Sequence, residues 1–86
     1  MKNLKRFWVR FDMFDHPTPL NLGCGITAYD IEDVYRILGN KVFYGSEIPN
    51  VKEIIEDVDI SNMDQGHVSS NMGNHFIRGV WFPLGH

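Results

Sequence analysis

The stretch Leu22–Phe43, LGCGITAYDIEDVYRILGNKVF, decides how the rest of the chain is read. It opens with strand alternation: Leu22, Cys24, Ile26 and Ala28 share one side, and Gly23, Gly25 and Thr27 share the other. The glycine side leaves room for a bulky ring to lie against the backbone, or marks a bulge. Asp30 then stands where a helix N-cap belongs, with Asp33 three residues on in the manner of a capping box. Glu32 and Asp33 put negative charge in the first turn, where the helix dipole favours it. Ile31, Val34, Tyr35, Leu38 and Val42 recur at helical spacing. Gly39-Asn40 offers an early stop, but the apolar spacing runs on through Val42 and predicts a helix to about Phe43.

Strands are expected on both sides of this strand–helix unit. Lys5–Met13 alternates cleanly, with Phe7, Val9, Phe11 and Met13 opposite Arg6, Trp8, Arg10 and Asp12. Trp8 is the ring best placed to lie over the glycines. The segment at 14–21, FDHPTPLN, carries Pro17 and Pro19, which cannot donate ladder hydrogen bonds, and reads as a connection anchored by Phe14 and Leu20. Gly45–Asn50 is a turn, and Val51–Ile60 a third strand with Ile54, Val58 and Ile60 on one face and Val51 and Ile55 on the other. Strand, helix, strand in one sheet implies a right-handed crossover, with the second and third strands parallel. Phe76–Phe82 is the last strand, with Phe76, Val80 and Phe82 opposite Ile77 and Trp81. The expected fold is therefore α+β, in the order β-β-α-β-β: a four-stranded, mostly antiparallel sheet with one helix packed on one face.

At 86 residues the chain is expected to form a single small domain, 1–86. Net charge is −3, which argues against non-specific binding to nucleic acid or anionic membranes. No window approaches the length of a membrane span. The opening MKNLKRFWVRF has no apolar run or small-residue cleavage site, so no secretory leader is expected. A single cysteine, Cys24, excludes an internal disulfide, and the expected compartment is cytoplasmic.

One helix covers one face of such a sheet. The helix side takes Phe7, Val9, Phe11, Ile26, Ile54, Val58, Val80 and Phe82, and the far side shows Arg6, Trp8, Arg10, Tyr29, Ile55, Ile77 and Trp81. Tryptophan and isoleucine left in water form the kind of patch that marks an interface. Three outcomes compete for it: the long polar loop Ser61–His75 folds over it, a second copy packs on it as a homodimer, or another partner or ligand binds there. The expected interaction surface is Arg6, Trp8, Arg10, Ile77 and Trp81.

Candidate chemistry is sparse. Gly23-Cys24-Gly25 matches no phosphate loop, and Cys24 on the core face reads as a buried inert thiol. Asp64, His67 and His75 match no short-range metal-ligand spacing. Ser69 or Ser70 with His67 and Asp64 lacks a nucleophile elbow. The acidic third strand, with Glu53, Glu56, Asp57 and Asp59, reads as an edge protected by charge. Arg6, Trp8 and Arg10 have the composition of a single-strand nucleic-acid platform, but the overall acidity stands against it. No catalytic residue, metal or cofactor is implied. The leading expectation is a non-enzymatic protein–protein interaction module, binding itself or another protein in an accessory or inhibitor role. The alternatives are a small ligand-binding protein or enzyme with a polar site in the 61–75 loop, at Asp64, His67, Asn71 and His75, and a single-strand nucleic-acid binder.

Overall fold

The computed structural model describes residues 3–12, 14–15, 17–62, 68 and 71–83. The alternating segments form four strands: β1 (Lys5–Phe11), β2 (Cys24–Ala28), β3 (Val51–Ile55) and β4 (Gly79–Phe82). They make one sheet in the order β3-β1-β2-β4, and every pairing is antiparallel. The fold is α+β with one helix, as expected. β2 and β3 do run in the same direction, but β1 lies between them, so the helical crossover skips a strand. The acidic β3 is an edge of the sheet.

Asp30 caps the helix α1 (Ile31–Ile37): its Oδ1 accepts from the Asp33 N–H at 2.8 Å. Asp33 reaches back one residue further than in a capping box, accepting from the Tyr29 N–H at 3.1 Å. The helix continues past Gly39 as expected, but widened. Over Leu38–Val42 it takes π-type turns, and the Phe43 N–H donates five residues back to the Leu38 carbonyl at 3.0 Å. The buried stripe lies to one side of the expected one already in α1. Val34, Ile37, Leu38 and Val42 are buried, whereas Ile31 and Tyr35 remain 40 % exposed, so the expected apolar face was partly misassigned.

The helix-side core is Phe7, Val9, Phe11, Cys24, Ile26 and Ala28 under Val34, Ile37, Leu38 and Val42, with Phe14, Leu20, Phe43, Ile48, Val51, Ile54 and Val80 packed around it. A second, aromatic core lies on the other face: Trp8, Trp81, Phe82 and Val68, flanked by Val58, Ile60 and Met72. Val58 and Phe82 were expected under the helix, and a local break in alternation moves each of them. In β4 a bulge sets Val80 opposite Ile26 but Phe82 opposite Gly25, leaving Trp81 as the extra residue. Trp81 and Phe82 therefore both join the aromatic core. In β3 the ladder stops at Ile55 rather than Ile60, because the chain turns at Glu56-Asp57, where Asp57 has φ of 54°. The Val58 N–H then donates to the Arg6 carbonyl at 2.9 Å, and Val58 and Ile60 fold across the far face.

Two further boundaries differ from expectation. β2 begins at Cys24 because Gly23, at φ 132°, follows a turn in which its N–H donates to the Leu20 carbonyl. β4 begins at Gly79, so Phe76 and Ile77 belong to a turn. Met13, expected at the end of β1, lies outside the described residues.

Candidate functional site

The two glycines of β2 decide where the tryptophans go. A Cβ at Gly23 would lie 2.5 Å from the Trp8 indole, and one at Gly25 the same distance from Trp81. The indoles occupy the space that side chains would need. Trp8 packs tilted against Trp81 at 5.8 Å between centroids and against Phe82 at 5.3 Å. Val68, from the 61–75 loop, is buried among them, and Gly73 donates to the Trp81 carbonyl at 2.6 Å. Trp8 and Trp81 keep only 6 % and 1 % of their surface. Both rings, expected at an interaction surface, are packed against Val58, Ile60, Val68 and Met72. Trp8, the ring of the base-stacking platform considered with Arg6 and Arg10, is among the buried residues. Arg10 is exposed and pairs across strands with Glu53 at 3.3 Å.

What the loop leaves open is the turn that follows it. The His75 carbonyl accepts from Thr27 Oγ1 at 2.6 Å and from Arg6 Nε at 3.2 Å. The Asn74 side chain accepts from the Phe76 N–H at 2.9 Å, an Asx turn that fixes the bend. The His75 ring packs on Phe76 at 4.3 Å and meets Trp81 edge-on at 6.4 Å. The Arg6 guanidinium lies over the Phe76 ring, 5.1 Å from its centroid. On the far side of the turn Arg78 grips Asp33 with two hydrogen bonds, Nε to Oδ2 at 2.9 Å and Nη2 to Oδ1 at 2.5 Å.

Asp33 gathers these elements. Its side chain is 3 % exposed and also accepts from Arg36 Nη1 at 3.1 Å, while Arg36 reaches Glu32 at 3.4 Å. The Arg78 hydrogen bonds, set against burial, hold the Asp33 carboxyl at about 2, below the usual carboxylate range, and push Arg78 upward in turn. A half-open depression of about 190 Å³ lies beside it, lined by Tyr29, Asp30, Glu32, Asp33 and Arg36. Its carboxylates already serve as cap, clamp and helical ion pair, so it reads as structure.

Between these anchors the turn presents Phe76 and Ile77, which are 67 % and 63 % exposed. Ile77 was expected at the interface. Phe76 was expected in the last strand on the face of Val80 and Phe82; Asp33 was read only as a helix-capping acid, and Arg36 and Arg78 were not singled out. The Asp30/Asp33/Arg36 spacing was a legible sign of the cap and its i,i+3 ion pair; nothing in sequence joins Arg78 to Asp33. Of the polar set expected in the loop, Asp64 and His67 lie outside the described residues. Asn71 is exposed, and His75 is half-buried against Phe76 and Trp81. Among the described residues no group of three or more His, Cys, Asp and Glu side chains is arranged to hold a metal ion. No helix among them is long and apolar enough to cross a membrane. Cys24 is buried, and burial pushes its thiol up to about 12.

No protein-family model matches the chain, and comparison with curated proteins and with solved structures returned no match. The reading of function therefore rests on the geometry of this turn.

Proposed function

We propose that the chain is a non-enzymatic, cytoplasmic protein-binding module whose contact surface is the turn at 75–78. One observation carries the reading. Phe76 and Ile77 stand 67 % and 63 % exposed on a turn tied down at both ends, by Thr27 and Arg6 to the His75 carbonyl and by Arg78 to Asp33. A loop that merely failed to bury its apolar side chains would not be anchored so heavily. Adjacent large apolar groups held rigidly in water lose little entropy on docking, which is what a hot spot requires. A single cysteine, with no internal disulfide to form, fits a reducing compartment.

Photo-crosslinking tests this. A benzophenone amino acid replacing Ile77 is expected to give a discrete protein adduct in the source cell, whose mass tells a second copy from a foreign partner. The same group replacing Tyr44, 71 % exposed on the far end of the helix, is expected to give none. Equal, diffuse labelling from both positions contradicts the proposal.

A further inference from the structure

Among the described residues Arg6 has no carboxylate partner. The chain has four arginines. Arg10 pairs with Glu53, Arg36 with Asp33 and Glu32, and Arg78 with Asp33. Arg6 alone meets no acid among the described residues. Its Nε is spent on the His75 carbonyl at 3.2 Å and its plane is held over Phe76. Among the described residues nothing bonds the two terminal nitrogens of the fork, and the ring beneath it, Phe76, stands exposed next to Ile77. A guanidinium positioned by a backbone oxygen and a ring has already lost most of its side-chain freedom, and its fork matches a carboxylate in two-point geometry.

Resting on the binding role of this turn, we infer that its partner presents a carboxylate next to a bulky apolar side chain, the acid on Arg6 and the apolar group on Phe76 and Ile77. A second copy docked by the same patch would have to bring that acid from outside the Asp33 clamp. A two-fold contact places like surface on like, and the nearby Asp33 carboxylate is committed to Arg78 and Arg36. A nucleic-acid backbone also offers anions, but the chain's net charge of −3 repels a polyanion while tolerating one local carboxylate.

Selection of random displayed peptides on the purified full chain tests the inference. Enriched peptides are expected to carry Asp or Glu beside an apolar residue and to lose binding to a Phe76→Ala/Ile77→Ala variant. Replacing that Glu by Gln in a synthetic peptide is expected to weaken binding about tenfold or more, and Arg6→Gln to do the same. The peptide change leaves the protein untouched, so it separates recognition from any effect of Arg6 on folding. Peptides that need Phe76 and Ile77 but tolerate both Glu→Gln and Arg6→Gln overturn the carboxylate and leave the binding surface standing. A selection with no clone dependent on Phe76 and Ile77 overturns both. Arg6-dependent binding of a single-stranded oligonucleotide probe, with no such peptide, assigns the patch to nucleic acid and also overturns both.

Discussion

Arg78 and Asp33 are 45 residues apart in sequence and joined by two hydrogen bonds, Nε to Oδ2 at 2.9 Å and Nη2 to Oδ1 at 2.5 Å. The same carboxylate accepts from the Tyr29 N–H at the helix entrance and from Arg36 one turn on. One acidic side chain thus ties the start of α1 to the turn that precedes β4. Its removal loosens both.

Asp33→Asn is expected to cost about 2 kcal/mol, at the lower end for a broken buried ion pair because Arg78 is 42 % exposed and recovers some hydration. For a domain of this size that lowers Tm by roughly 10 °C. Thermal unfolding checks it, and a shift under about 2 °C removes the clamp from the account.

The same pair fixes a pH dependence. Asp33 is held at about 2 in the folded protein, below its ordinary 3.8. Its contribution is fully present above the unfolded value and is lost as pH falls through the folded one. The stability gap between the wild type and Asp33→Asn is expected to be constant above about pH 5 and to shrink steadily towards pH 2. A gap that widens on acidification contradicts the assignment.

Gly25→Ala drives a methyl into the Trp81 ring, since a Cβ there lies 2.5 Å from it in a site with no slack. A loss of about 1–3 kcal/mol is expected, with a change in the near-ultraviolet aromatic signal as the indole is displaced. Intrinsic fluorescence of the wild type should be blue-shifted and poorly quenched by acrylamide, because Trp8 and Trp81 are the only tryptophans and both are buried. Ready quenching would contradict their burial.

Cys24 is buried, with its thiol raised to about 12. It is expected to resist a thiol reagent at pH 8 in the native protein and to react at once in denaturant. Rapid native labelling would expose β2.

Much of this arrangement was legible in the residues. Alternation in β1, the Asp30 cap and the bare glycine side of β2 are local signals, and each formed as read. Val58 and Phe82 were placed on the wrong face because side-chain parity survives only while strand pairing is unbroken. The positive φ at Asp57 and the extra residue at Trp81 break it, and neither leaves a mark in composition. Phe76 was read as part of the last strand because alternation was extended back through a glycine that starts it. The burial of Asp33 depends on Arg78, a partner no sequence window contains.

Phe76 and Ile77 stand exposed, and the proposed contact depends on that exposure. Equilibrium unfolding of Phe76→Ser/Ile77→Ser beside the wild type tests it most directly. Exposed side chains contribute little to folding, and the Arg6 contact over Phe76 adds about 0.5–1 kcal/mol, so the double variant should lose no more than about 1 kcal/mol. A loss of about 3 kcal/mol or more is the signature of buried apolar groups; it would return Phe76 and Ile77 to the core and leave the turn without a surface to offer.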